Sequence, residues 1–158
     1  MDLAVQPPQG VGDIRFGEEF TTVAERLRPL GDLKVAAPTP GNTAFKATLG
    51  LPDFEITVLV DDGTHVTGVE VWRFEHDDAD VHVTFGDLDL FRTPARELAA
   101  RIEEMGHDSD SPEPEVTIFP ELSLLLSRDT SRDVPLDDTD GLPLYVHYVL
   151  AAPAGYFD

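Results

Sequence analysis

The residues with the clearest potential for chemistry lie in one short charged segment. His76 and His82 enclose Asp77, Asp78 and Asp80. Imidazole and carboxylate groups are suitable ligands for zinc and related ions, so this segment could bind a metal or support metal-dependent catalysis. The spacing matches no established metal-binding signature, however, and charged residues are common where a chain enters a strand. We therefore expect no metal and no other cofactor, and keep the metal site as an alternative.

Signatures of covalent catalysis are absent from the sequence. There is no cysteine among the 158 residues, which excludes thiol catalysis, disulfides and thiolate metal sites. No G-x-S-x-G nucleophile elbow occurs, and Gly10-Val11-Gly12 lacks the lysine that follows in a phosphate-binding loop. Carboxylates are too abundant for any pair to be recognised as a general acid and base. We expect a protein that is not an enzyme.

Charge is the strongest global feature of the chain. The chain contains 31 acidic and eleven basic residues, which gives a formal net charge of −20. Such a field repels phosphate groups, so direct binding to nucleic acid or to an anionic membrane is not expected, whereas encounter with a basic protein is favoured. The same composition also arises from high-GC coding bias or from adaptation to salt, and both interpretations stay open at this point.

Many of the acidic residues are concentrated in three connecting segments. Residues 75–80 contain four acids, residues 103–115 contain six, and residues 129–140 contain five. Together these segments hold fifteen of the 31 acidic residues. Acids that only keep a protein soluble would be spread more evenly. The clustering favours a negative patch, on the condition that the three segments converge in space.

Two amphipathic helices are predicted. In the first, Thr22 and Glu25 match a capping box, and Pro29 marks the end of the helix. The second is predicted to start with Thr93 as N-cap and to stop at Gly106. Together with the strand patterns, these helices predict an α+β fold in which two helices pack on a mostly antiparallel β-sheet.

The clearest strand pattern is a hairpin in the first half of the chain. Alternating residues 54–60 and 66–74 are joined by Asp61-Asp62-Gly63-Thr64, a signal for a tight turn. Residues 1–12 are expected to form a loose arm and residues 107–114 a loop. Further strands are predicted at residues 45–49, 115–119, 122–127 and 145–151.

Aromatic side chains on these strands are candidate contact anchors. Trp72 lies at the end of the predicted hairpin. In the last strand, alternation predicts that Tyr145 and His147 share one face and that Tyr148 lies on the other. Aromatic residues on an exposed sheet face are typical binding anchors. A face covered by a helix or a loop would explain them equally well.

One pattern occurs twice. Phe16-Gly17 and Phe85-Gly86 each precede a helix and lie 69 positions apart, and the glycines after the two helices, Gly31 and Gly106, lie 75 apart. A duplicated helix–β unit is therefore a reasonable hypothesis. It describes residues 1–158 as a single domain with pseudo-repeats at residues 12–74 and 81–151.

The segment from Gly12 to Gly31 resembles the I-x-F-G…L-G unit of small bacterial α/β repeat proteins, such as beta-lactamase-inhibitor-like and outer-membrane assembly lipoprotein E-like domains. With its closing segments 141–145 and 153–157, the chain is also similar to small acidic immunity-like proteins of high-GC bacteria. It departs from the inhibitor-like pattern in having no cysteine and no signal peptide. The resemblance implies binding through a sheet face and loops, without catalysis.

The N-terminal segment gives no sign of a targeting sequence. Residues 1–8 contain neither a basic region nor an apolar run, and no stretch of the chain has the roughly 18 apolar residues that span a bilayer. We therefore expect a cytoplasmic protein that does not bind membranes.

These observations favour a protein-binding module. Its sharpest form is an immunity or inhibitor protein that neutralises a basic partner, for example a nuclease toxin, by steric and electrostatic blockade. The alternatives are a metal-dependent enzyme or metal-binding protein that uses the segment from His76 to His82, and a structural or oligomeric subunit without catalysis. The predicted partner-binding residues are Trp72, Asp77, Asp78, Asp80, Asp108, Asp110, Asp137, Asp138, Asp140, Tyr145 and Tyr148.

Overall fold

The computed structural model describes residues 1–158 as an α+β protein that consists mainly of strands. Its two helices are α1 (Phe20–Leu27), which continues into a 3₁₀ turn, and α2 (Ala95–Glu104). The strands are β1 (Asp2–Gln6), β2 (Gly10–Val11), β3 (Ile14–Arg15), β4 (Asp32–Val35), β5 (Phe45–Gly50), β6 (Glu55–Val60), β7 (Gly68–Trp72), β8 (His82–Phe85), β9 (Leu88–Asp89), β10 (Asp110–Glu113), β11 (Val116–Phe119), β12 (Leu124–Ser127) and β13 (Tyr148–Ala151).

The strands form two sheets. The larger sheet has eight strands in the order β10-β11-β12-β13-β7-β6-β5-β4, and all its pairs are antiparallel. The smaller sheet has the order β3-β2-β1-β8-β9, and its β1–β8 pair is parallel. Both sheets are therefore mostly antiparallel. Neither helix combines the length and the apolar character needed to cross a bilayer.

A single hydrophobic cluster of 33 buried residues includes residues from both sheets and both helices. From the helices it takes Val23 of α1 and Leu98 of α2, which lie on the apolar sides of their helices. From the larger sheet it takes alternate residues of each central strand, such as Val58 and Val149. The alternation follows from the strand geometry, which turns successive side chains to opposite faces.

The order of elements is the same in both halves of the chain. A hairpin (β2–β3 or β8–β9) is followed by a helix and then by four strands of the larger sheet. The two groups of four strands meet where β7 pairs with β13. The hairpin turns contain Gly12 and Gly86, with φ angles of 60° and 61°. The Phe-Gly pairs are therefore not equivalent, because Gly86 corresponds to Gly12 and not to Gly17.

The predicted hairpin is confirmed, but its turn is not. β6 and β7 pair antiparallel, with Ile56 opposite Val71 and Leu59 opposite Gly68. The connection runs from residue 61 to residue 67 and is therefore a loop, not the tight turn that Asp62-Gly63 predicted. In this loop the Asp62 carboxylate accepts hydrogen bonds from the backbone of residues 64 and 65, which fixes an alternative turn.

Two segments predicted to be irregular contain strands, and a third strand lies where none was predicted. Residues 1–12 are not a loose arm, since β1 pairs with both β2 and β8. β4 and β10 form the two edges of the larger sheet, although 32–35 was not predicted as a strand and 110–113 was predicted as loop. The residues of β10 are all exposed, so burial leaves no apolar pattern in this edge strand.

The predicted helix starts are also corrected. α1 begins at Phe20 with Glu19 as its N-cap, three residues before the predicted N-cap Thr22, and no side chain caps it. Thr22 therefore lies inside the helix. In α2 the N-cap is Pro94, one residue after Thr93, and the helix ends just before Gly106, whose φ is +99°. A positive φ at this position favours glycine and explains the stop.

Candidate functional site

The larger sheet has one face in the core and one face outside it. In β7, Val69 and Val71 belong to the hydrophobic core, whereas Glu70 and Trp72 alternate with them and point to the opposite side. No residue on this opposite side belongs to the 33-residue core cluster. We call this side the outer face, and its central residues are Lys46, Thr57, Leu59, Glu70, Trp72, Tyr148 and Leu150.

An aromatic pair lies at the centre of the outer face. Trp72 and Tyr148 are directly opposite each other in the β7–β13 pair, and their ring centroids are 4.5 Å apart with an angle of 53° between the planes. Trp72, the only tryptophan of the chain, is 43% exposed although its side chain is large and mainly apolar. A large aromatic side chain held in place by a neighbour and still open to solvent is typical of a binding anchor.

A carboxylate lies next to the aromatic pair. Glu70 is two residues before Trp72, and its Oε2 accepts a hydrogen bond from the Tyr148 hydroxyl. Its Oε1 is 3.5 Å from the Lys46 ammonium nitrogen. Burial of the hydroxyl, together with its hydrogen bond to the carboxylate, raises the pKa of Tyr148 well above its usual value. The tyrosine therefore remains a neutral hydrogen-bond donor to Glu70.

Two clefts with shared lining residues lie beside the outer face, and the first of them adjoins Trp72. The first, of about 440 Å³, is lined by Trp72 and by the segments 51–55 and 129–132. The second, of about 460 Å³, is lined by residues 75–78 and 132–135. Both contain Arg73, Glu75, Arg132 and His147. Seven carboxylates but only two guanidinium groups line the clefts, so their charge is negative.

His147 lines both clefts and is buried, so of the two interpretations of its strand face the covered one applies to this residue. Its Nδ1 is 3.0 Å from the carbonyl oxygen of Tyr145, which can only accept a hydrogen bond. In the neutral ring the proton is therefore on Nδ1, and Nε2 has no partner. Burial lowers the pKa of His147 to about 4, and the nearby Arg132 and Arg73 add to this effect.

The lowered pKa of His147 leads us to expect that the stability of the protein depends on pH. Because its pKa is about 4 in the folded protein and 6.5 in the unfolded chain, the unfolded chain binds the proton first as the pH falls. The contribution of His147 should be complete above pH 6.5 and should decrease by on the order of 2 to 3 kcal/mol as the pH falls to about 4. Chemical unfolding of the wild type and of His147→Asn across this range measures the difference. An equal pH dependence in both proteins would contradict the prediction.

Two of the three acidic segments come together at the clefts. Asp77 and Asp78 line the second cleft opposite Asp133, so the segments 75–80 and 129–140 converge there. The Asp77 carboxylate is paired with Arg73 at 3.0 Å and remains almost fully exposed. Asp80 is exposed beside His82, and its backbone oxygen accepts a hydrogen bond from the N-terminal amino group.

Two acidic residues that were predicted to contact a partner instead pair with an arginine of the same chain. Asp140 binds the guanidinium of Arg128 through two hydrogen bonds of 2.6 and 3.1 Å, and Asp137 lies 3.8 Å from the same group. The hydrogen bonds from Arg128 hold the pKa of Asp140 below its usual value. Because Arg128 is buried and also donates to the Pro143 carbonyl oxygen, this cluster anchors the 129–143 loop.

The remaining predicted acids lie away from the clefts. Asp108, Asp110 and Asp138 are exposed, and none of them lines either cleft. Tyr145 lines the second cleft, where its ring is 5.3 Å from the Arg73 guanidinium. The predicted contact residues are thus divided between the outer face, the clefts and the more distant surface.

In this fold, charged side chains of the His76–His82 segment pair with neighbouring residues. No group of three or more histidine, aspartate or glutamate side chains is arranged to hold an ion. His82 is 3.5 Å from Asp89, but Arg92 lies 3.2 Å from the same carboxylate and already neutralises it. The geometry gives the alternative of a metal protein no support.

Several residues of the site were not recognised from the sequence. Glu70 and Lys46 lie on different strands and meet only through the register of β5, β6 and β7. Arg73 and Arg132 come from separate halves of the chain. The alternation in β7 was the one available signal, since it assigned Glu70 to the same face as Trp72.

The fold and the site define a mainly β, α+β protein that has an exposed aromatic residue on the outer face of its larger sheet, beside acidic clefts. Comparison with known proteins adds no relative to this description: no family model, no curated protein and no solved structure matches the chain.

Proposed function

We propose that this protein is a binding module for a basic protein and acts as an immunity or inhibitor protein. The observation that carries the proposal is the position of Trp72, which is exposed on the outer face and also lines an acidic cleft. An exposed aromatic side chain next to a cluster of negative charges is complementary to a basic protein surface that offers an apolar pocket.

The two parts of this surface have different roles in the proposal. Trp72 and Tyr148 supply apolar area that is lost to water when a partner binds, and this sets the affinity. The seven carboxylates of the clefts attract Lys and Arg residues of the partner over a distance of about one Debye length, and this raises the association rate. Inhibition then follows from covering the partner's basic surface, which for a nuclease toxin is its substrate-binding surface. The resemblance to small acidic immunity-like proteins agrees with this role.

The proposal is tested by capture from a lysate of the source organism on immobilised protein. Basic proteins retained at low salt are identified by mass spectrometry, expressed, and measured for binding at low and high salt. We expect one basic protein to bind the wild type, to bind less tightly at high salt, and to lose its own activity when bound. A protein whose activity is unchanged in the complex would contradict an inhibitory role. Failure to retain any basic protein at low salt would overturn the proposal as a whole.

Neutralising the acids of the 75–80 segment should slow the binding of such a partner. In the triple variant Asp77→Asn, Asp78→Asn, Asp80→Asn, we expect the association rate at low salt to fall about tenfold, with a much smaller change in the dissociation rate. Stopped-flow or surface-based kinetics measures both rates.

The matched control for this variant is Asp108→Asn, Asp110→Asn, Asp138→Asn. It changes the net charge by the same amount at exposed positions outside the clefts. The decrease in the association rate of this control should be less than half the decrease seen in the variant at Asp77, Asp78 and Asp80. Equal slowing in both variants would show that overall charge, and not the cleft, steers the partner.

We also propose that the two halves arose by duplication, each with a helix packed on the larger sheet. The same order of elements in both halves supports this, as do the equivalent turn glycines Gly12 and Gly86. Val23 and Leu98, which occupy the buried sides of the two helices, belong to the same core cluster as the inward side chains of the sheet.

A further inference from the structure

The most unusual group outside the clefts is the carboxylate of Glu70. Its side chain is only 12% exposed, yet it lies on the outer face and not in the core. A carboxylate offers about four acceptor positions. Here the Tyr148 hydroxyl uses one of them, and Lys46 is the only basic group nearby. Glu70 therefore has unused acceptor capacity beside the exposed Trp72, although its neighbours Thr57 and Leu59 on the outer face are buried.

Lys46 is a weak and replaceable partner for this carboxylate. Its ammonium nitrogen is 3.5 Å from Glu70 Oε1, and its side chain is 63% exposed. The two residues are not direct neighbours in register, since Lys46 lies opposite Leu59 and Glu70 lies opposite Thr57. A long, solvated lysine held at this distance gains little from the ion pair. A better donor could displace it at low cost.

The aromatic pair is placed to bind the same donor. Trp72 follows Glu70 on the same face of β7, and the Tyr148 ring packs against it while the Tyr148 hydroxyl binds the carboxylate. A cation over the face of an indole ring is stabilised by the ring's quadrupole. An arginine guanidinium can stack on an aromatic ring and donate two parallel hydrogen bonds to a carboxylate, whereas a lysine ammonium is a compact point charge.

We propose that Glu70, Trp72 and Tyr148 form a recognition site for one arginine side chain of the partner, and that Lys46 occupies this site until the partner displaces it. The inference rests on the proposed function for its biological occupant, but the site itself can be tested without a partner. The site adjoins the first acidic cleft at Trp72, but Glu70 and Tyr148 lie outside both clefts.

The test uses L-argininamide as the probe and L-citrullinamide as its neutral, nearly isosteric control. Since Trp72 is the only tryptophan, its fluorescence and its single indole NH signal in NMR spectra report on this site and on the adjoining wall of the first cleft, and the Glu70 variant separates the two. We expect saturable binding of argininamide in the millimolar range, with weaker binding of lysinamide and no saturation by citrullinamide. Equal responses to argininamide and citrullinamide would overturn the proposal.

Two variants make the assignment specific. Lys46→Met should tighten argininamide binding about threefold to tenfold, because the resident cation is removed while its aliphatic stem is kept. Glu70→Gln should weaken it at least tenfold; glutamine still accepts the Tyr148 hydrogen bond, and thermal unfolding verifies that the variant is folded.

The triple variant at Asp77, Asp78 and Asp80 is the control for general attraction and should change binding less than twofold. Unchanged affinity in Lys46→Met, or full affinity in folded Glu70→Gln, would refute the site.

These results remain distinguishable from those on the proposed function. If a basic partner binds and is inhibited but argininamide does not bind, the arginine site is wrong and the binding role stands. If argininamide binds as expected while no basic protein is retained by the wild type, the site stands and the proposed function is wrong.

Discussion

Replacing Phe74 by alanine is expected to lower the free energy of unfolding by about 3 to 5 kcal/mol. Phe74 is fully buried and packs edge-to-face against Phe91, with the ring centroids 6.1 Å apart. Its ring also contacts the guanidinium groups of Arg73 and Arg92, at 4.6 and 4.3 Å from the ring centroid. The substitution therefore leaves a cavity and removes two cation–π contacts.

Urea unfolding of the wild type and of two comparison variants measures this effect. Phe74→Leu keeps most of the apolar volume and should cost about 1 to 2 kcal/mol. Trp72→Ala, two positions away but on the exposed outer face, should cost only about 1 kcal/mol. If Phe74→Ala were no more destabilising than Trp72→Ala, the assignment of Phe74 to the core and of Trp72 to the exposed surface would be wrong.

The second large effect is expected in binding. Once a basic partner has been identified, Trp72→Ala should weaken its affinity about 100-fold, mainly through faster dissociation. The indole supplies the largest exposed apolar surface at the centre of the outer face, and it completes both the first cleft and the arginine site. Calorimetry and dissociation kinetics measure the loss.

A matched control is available for this variant. Leu136 is an exposed hydrophobic residue, 57% accessible, which lines neither cleft. Leu136→Ala should change the affinity less than threefold. Equal losses in the two variants would mean that the partner binds elsewhere, and an unchanged affinity in Trp72→Ala would remove the outer face from the proposed mechanism.

Local patterns in the sequence predicted the elements whose apolar residues recur with a regular period. β6 and β7 have a clear period of two, and Gly106 ends α2 by its backbone conformation. The edge strand β10 was missed because its four residues are all exposed and show no periodicity. β1 was missed because its strand character depends on pairing with β8, about half a chain away.

The site was predicted only in part for a related reason. The sequence identified Trp72, Tyr148 and the acidic segments as residue types suited to binding. It could not tell that Asp77 and Asp78 face the 132–135 segment while Asp140 is bound to Arg128, because these arrangements depend on contacts between distant loops. Burial of His147 likewise depends on what covers the strand, which alternation alone does not reveal.

The strand connectivity has a consequence for how the chain folds. β1 pairs with residues 80 positions later, and β7 pairs with residues 76 to 82 positions later, so both contacts require large loops to close. We expect folding in milliseconds to seconds, as for other proteins rich in non-local strand pairs. During synthesis, β7 exposes an unpaired edge with Val69 and Val71 until β13 has been made. Mutual repulsion between strongly acidic nascent chains opposes their association during that interval.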